Sequence, residues 1–213
     1  SGKRTGVASS EGTFLEGRLT QKGDNTNWHA AHRLLVNRLA EAAVIQTTAR
    51  SIFEEGLAYD RCQVGVVTDM DGFESLADHD VLEAGQMTRV MRTQIDVVLS
   101  HGVGVLNADD EQTADMARLC DGQVLFYTHD AKSSVIVSHR ESGGRAVILS
   151  GHQVLLAQGH SERVLGQLDS LRPVNGFEPD ADALLAAIAT AWALDISPEL
   201  IAAGIKTFDY QPA

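Results

Sequence analysis

The segment FEEGLAYDRCQVGVVTDMDGFESL, residues 53–76, decides how the chain is read. Its centre, QVGVVTD (63–69), is short, rich in valine and apolar on both faces, as a strand buried between helices should be. Polar residues follow at once: Thr68, Asp69, and then Glu74 and Ser75. Chemistry-bearing groups gather at such strand ends in parallel sheets. Outward from this segment the same rhythm recurs. RTGVAS (4–9), AAVIQT (42–47), VGVLNA (103–108) and QVLFYT (123–128) read as strands. Helical periods fill the spaces between them at 26–38, 80–99 and 110–120, the last closed by Asp121-Gly122. Alternation of this kind predicts an α/β fold with a mostly parallel sheet and right-handed crossovers.

After residue 130 the rhythm changes. RAVILSGHQVLLAQG (145–159) predicts two strands around a Ser-Gly turn, an antiparallel hairpin added to the edge of the sheet. DADALLAAIATAWAL (180–194) predicts an Ala-rich helix, and Ser197-Pro198 opens another with proline in its first turn. KTFDYQPA reads as a tail, so one domain is expected over 1–206 and a linker over 207–213.

At 213 residues the chain can bury one full core, since domains commonly run about 100–200 residues. A net charge of −12 and a pI near 5.0 argue against nucleic-acid binding and favour small or cationic partners. Cys62 and Cys120 lie far apart with no CxxC, so neither a disulfide framework nor a zinc ribbon is expected. No apolar run reaches the roughly 18 residues of a membrane span. No leader pattern opens the chain, and a cytoplasmic setting is the expectation.

Phosphate-binding motifs are missing from these residues. A P-loop needs GxxxxGK[ST], whereas SGKRTG offers Gly2-Lys3 with Arg4 in place of the hydroxyl and a strand, not a helix, after it. His29 and His32 stand at i, i+3 on a predicted helix, and His79 lies in DHD, but no third and fourth ligand with suitable spacing accompanies them. No G-x-S-x-G elbow or local cysteine nucleophile motif is present. NADDEQ (107–112) follows a buried strand and opens a helix. Asp109 or Asp110 can cap that helix, and Asn107 stands where a ligand's base edge could meet it. Asn107 is therefore a candidate cofactor-binding residue, joined by Asp110 only through the resemblance described next; no catalytic residue and no metal ligand is assigned.

Several segments together resemble one family, the Mur-ligase-like part of the cyanophycin synthetases. They are EEGLAYDRCQVGVVTD, GVGVLNADDEQTADMARLCDGQV, SHRESGGRAVIL and LLAAIATAWALDISPELIAAGIKTF, supported by GDNTNWHAAHRLLVN and SEGTFLEGR. The resemblance implies a domain that binds ATP and magnesium, forms an acyl phosphate and lets arginine's amine attack to make an amide on a polyaspartate backbone. It also exposes departures. The P-loop helix expected before KRTGVASSEG is absent. Gln46 stands where the family's magnesium-holding glutamate would be, in Gln46-Thr47-Thr48-Ala49-Arg50-Ser51. Asp69 replaces an asparagine, and Glu74-Ser75-Leu76-Ala77 aligns with an Asp-His-Leu-Gly, with Asp78-His79 as a displaced version of it. Met91 takes the place of a lysine, and Ala183 that of an asparagine, whereas Asn107 to Asp110 match the adenine-contacting stretch.

Phosphoryl transfer depends on positioning and charge neutralisation. Loss of a lysine and a metal carboxylate therefore implies a catalytically degenerate domain without ATP or magnesium. Such a domain would be a structural or partner-binding subunit in a homo-oligomer or a hetero-oligomer with an active paralogue. Two alternatives remain open. One is an ATP- and magnesium-dependent amide ligase whose P-loop lies outside these residues. The other is a sensor that binds an adenine nucleotide through Asn107 without turnover.

Overall fold

The computed structural model describes residues 2–70, 73–79, 81, 84–171, 173 and 179–208. The chain divides into two compact units, one formed by residues 1–60 and 72–93, the other by 61–71 and 94–210.

The first unit is built on a four-stranded sheet in the order β3-β2-β1-β4. Strands β1 (Thr5–Ser9) and β4 (Ala42–Ile45) pair in parallel, and β2 (Gly12–Leu15) and β3 (Arg18–Lys22) add on antiparallel. Helix α1 (Trp28–Leu35) starts at Asn27, whose side chain accepts the Ala30 N–H, and it buries Ala30, Ala31 and Leu34. Capping of this kind satisfies one of the amides left free at a helix start. Helix α2 (Ala49–Glu55) is capped by Thr48 and ends at Gly56. A 3₁₀ turn (Phe73–His79) and helix α3 (Ala84–Met91) complete the unit, with Leu76 and Met87 buried.

The second unit carries the expected architecture. Its six-stranded sheet runs β10-β9-β8-β7-β6-β5. Strands β5 (Cys62–Val67), β6 (Val98–Asn107), β7 (Gln123–Thr128) and β8 (Arg145–Ser150) are parallel, and β9 (Gln153–Gln158) returns antiparallel as the predicted hairpin. A further antiparallel strand, β10 (Ser161–Gln167), extends that hairpin. Helix α4 (Thr93–Asp96) precedes β6, helix α5 (Glu111–Asp115) packs on β6, and α6 (Ser134–Glu141) packs on β8. Helix α7 (Ala181–Ala193) crosses β6, β7 and β8, and α8 (Pro198–Lys206) packs beside it. The core centres on α7, where Leu185, Ile188 and Ala189 meet Val105, Leu125, Tyr127 and Val147 of the sheet. Full burial of a Leu or Ile is worth about 1.5–3 kcal/mol, so this seam fixes α7 on the sheet.

One predicted helix is corrected. Residues 80–99 do not form a single helix: α3 and α4 are separate, and Val98 already belongs to β6. The β-branched pair Val97-Val98 favours the strand, where Val98 is fully buried beside Cys62. Among the described residues, no helix is long and apolar enough to cross a membrane.

Candidate functional site

In the second unit the carboxyl ends of β5, β6 and β7 carry the polar residues. Asn107 ends β6, and its Oδ1 accepts the Asp109 N–H at 3.0 Å. Asp110 caps α5, its Oδ1 accepting from the Thr113 N–H at 2.6 Å. Both candidate residues thus stand at the sheet's carboxyl edge, and both shape the loop that leads into α5. Asp109 binds across to the next strand, accepting the Thr128 hydroxyl and, at 2.7 Å, the His129 N–H. The Thr128 hydroxyl in turn accepts the Asp130 N–H at 2.8 Å.

His129 then reaches Asp182, in the first turn of α7, with Nε2 at 2.7 Å from Oδ1. Behind them Tyr127 is fully buried and donates its hydroxyl to the Thr68 carbonyl at 3.3 Å, tying β7 to the end of β5. Burial pushes the Tyr127 phenol upward, and the carboxylates of Asp182, Asp69, Asp109 and Asp110 push it further the same way. The phenol is therefore a fixed hydrogen-bond donor and not a base. Asp69 takes a hydrogen bond from the Thr68 hydroxyl at 2.8 Å. The edge as a whole is an acidic, hydrogen-bonded rim with one exposed imidazole–carboxylate pair.

Sequence reasoning named Asn107 and Asp110 on this edge but did not name Thr128, His129 and Asp182, which the structure places beside them. Thr128-His129 could have been found as the polar end of a buried strand. Asp182 could not, since 53 residues separate it from His129.

The first unit holds Gln46, Glu74, Ser75, Asp78, His79 and Met91, whereas Asp69 and Ala183, the other departures from the pattern the resemblance implies, lie in the second. Gln46 Oε1 accepts the Ser10 N–H at 3.0 Å and lies 3.3 Å from the Ser10 hydroxyl, clasping the turn after β1. Arg50, on α2, pairs with Glu54 at 3.1 Å and with Asp78. His79 Nε2 lies 2.9 Å from the same Glu54, with its ring against Phe53. Desolvation acts upward on the Asp78 carboxyl, but the hydrogen bond and charge of Arg50, the charge of His79 and a backbone hydrogen bond together outweigh it and hold the group below the ordinary carboxylate range. Asp78 and His79 are thus joined to Arg50 and Glu54 in one exposed quartet. The expectation that rests on Glu74 and Ser75 lies outside the described side chains. On α1, His32 stacks on Trp28 at 4.7 Å between ring centres and His29 meets the same indole edge-on at 5.4 Å. Met91 ends α3, and Ala183 is exposed on α7.

The doubly covered parallel sheet, its antiparallel extension and its polar carboxyl edge define a Mur-ligase-like α/β domain. The solved structure of UDP-N-acetylmuramoylalanyl-D-glutamyl-2,6-diaminopimelate--D-alanyl-D-alanyl ligase from Acinetobacter baumannii superposes on 83% of this chain and 36% of its own, with a TM-score of 0.51 at 14% identity. A second structure, MurF from the same organism, gives a TM-score of 0.50 at 14% identity. In sequence the chain is a relative of the Mur-ligase-like part of the cyanophycin synthetase family. It is 31% identical to the cyanophycin synthetase of Crocosphaera subtropica over 214 residues and 33% identical to that of Synechocystis over 211. Each alignment takes in 97% of this chain, which spans about a quarter of the length of these relatives (24%). No family model matches the chain.

Proposed function

We propose that this chain is a catalytically degenerate Mur-ligase-like domain that serves as a structural or partner-binding subunit. The observation that carries the reading is Gln46. Its neutral amide oxygen stands where the resemblance puts a magnesium-holding glutamate, and Ser10 already engages it. A hard dication favours charged oxygens, and an amide committed to a backbone N–H is a poor substitute. The carboxylates of Glu54 and Asp78 in the same unit are matched to Arg50 and His79, so recruiting them for a metal would strip those groups of their partners. The residues present do not fit the magnesium that the family's chemistry implies.

A partner-binding role draws support from exposed apolar side chains within residues 36–44 of the first unit. Val36, Leu39 and Val44 are 62%, 55% and 51% exposed. The proposed partner is a second copy or an active paralogue, and light scattering of the purified protein, alone and mixed with an active cyanophycin synthetase, reads out either association.

The second reading is an ATP-dependent amide ligase of cyanophycin synthesis, its P-loop supplied outside these residues. The retained Asn107 to Asp110 stretch at the carboxyl edge favours it. Calorimetric titration with ATP, with and without magnesium, separates the two. The proposal expects no magnesium-dependent heat. Magnesium-dependent binding in the micromolar range, about −8 kcal/mol, would establish the ligase reading instead.

A further inference from the structure

At the opposite edge of the second unit, where the parallel strands begin, lies a cavity of about 410 Å³. That volume falls in the usual size range of small-molecule sites. Strand register assembles it. Val103 of β6 is paired with Gln123 of β7, Leu125 with Arg145 of β8, and Arg145 with Gln158 of β9. Gln63 at the start of β5, Trp192 and Ala193 at the end of α7, and Asp195 just after it also line the cavity. This wall is remote in the sheet from the carboxyl edge and takes no part in the function proposed above.

Arg145 is its fixed charge, with a side chain only 14% exposed. Its Nη1 donates to the Trp192 carbonyl at 3.3 Å, its Nη2 donates to Gln123 Oε1 at 3.2 Å, and its guanidinium lies 5.4 Å from the centre of the Trp192 ring. Among the described residues these two bonds use two of the five N–H donors that a guanidinium carries. Asp195 stands at 4.0 Å from Nη1, beyond hydrogen-bond reach, and its side chain is 92% exposed. Three glutamines line the same cavity, and of these Gln123 bonds to the guanidinium. Gln123 spends its oxygen on Arg145 and keeps its two amide donors, and Gln63 and Gln158 add amides able to donate or accept.

We propose that this cavity binds a small organic carboxylate, with Arg145 as the anchor that takes the carboxylate and the glutamine amides reading the hydroxyl or amino groups next to it. With two bonds made, three N–H donors of the planar guanidinium are left, enough for the paired contact that a carboxylate takes. Asp195 tunes the site, since its negative charge at the mouth competes with the ligand's.

The chain has two tryptophans, so Trp28→Phe leaves Trp192 as the fluorescent reporter in the cavity wall. This protein is titrated with sodium acetate, L-malate and L-glutamate at constant ionic strength, with sodium chloride as the control. The expected result is a saturable Trp192 response to at least one carboxylate, with a Kd of about 1 mM, and none to chloride. Arg145→Gln should weaken it about tenfold or more, through loss of the forked contact. Asp195→Asn should tighten it about threefold by removing the competing charge. Asparagine tolerates the left-handed backbone there, φ 57°, so this variant folds even if Arg145→Gln does not. No saturable response to any of the three salts overturns the proposal, as does a response matched by chloride or one that Asp195→Asn leaves unchanged.

Discussion

At the scale of single residues, Tyr127 offers the clearest test. Its folded pKa is raised, so the folded state holds a proton that an unfolded tyrosine gives up near pH 10. The sign follows: stability is unaffected below about pH 10 and falls as pH rises past it. Ultraviolet difference spectra between wild type and Tyr127→Phe should show no phenolate at this position until the protein unfolds. In urea the variant should lose about 1 kcal/mol at neutral pH and part of the alkaline sensitivity. Thr113 makes the opposite case. Its hydroxyl is fully buried and without a partner among the described residues, so Thr113→Val should raise stability by about 1 kcal/mol, measured as a higher urea midpoint. Sequence could identify Asp110 as a cap because the rule is local, a short acceptor just before a helix. It could not identify the Asp109–Thr128–His129–Asp182 chain, whose members meet only when three strand and helix ends converge.

At the scale of elements, what was legible is what has a period. Strands β5 and β7 and the helices α7 and α8 announce themselves through continuous apolar runs, capping residues and Pro198. Strands β2 and β3 do not, because β3 is exposed at every position and carries no alternation to read. Helix α6 hides behind SVIVSHRE, a β-branched run that Ser133 nonetheless caps into a helix seated on β8. Packing overrides propensity there. Close packing also sets how strands and helices tolerate change. A Cβ on Gly65 of β5 would stand 2.5 Å from the Gln94 carbonyl oxygen in α4. Gly65→Ala should therefore cost about 2 kcal/mol or more, read as a lowered thermal midpoint. Gly204, exposed within α8, would place its Cβ in open space, so Gly204→Ala should raise stability by roughly 0.5–1 kcal/mol.

At the scale of the whole molecule, the net charge of −12 on 213 residues sets a background of self-repulsion. Raising sodium chloride through the range where the screening length falls below about 10 Å should raise the thermal midpoint, provided the exposed ion pairs contribute as little as such pairs usually do. Calorimetry at low and moderate salt checks the direction, and a falling midpoint would place more weight on pairs such as Arg50–Glu54 than their exposure suggests. The six-stranded sheet has a last consequence, in time. Its antiparallel side, β8 to β10, joins neighbours through tight turns, whereas each parallel pairing from β5 to β8 waits for an intervening segment to close. Loop closure is the slow, entropically costly part of strand pairing. In pulsed hydrogen exchange during refolding, amides of β8 and β9 should gain protection ahead of those of β5. A newly made chain would then carry its hairpin before its parallel sheet, although the residues of that hairpin emerge from the ribosome later.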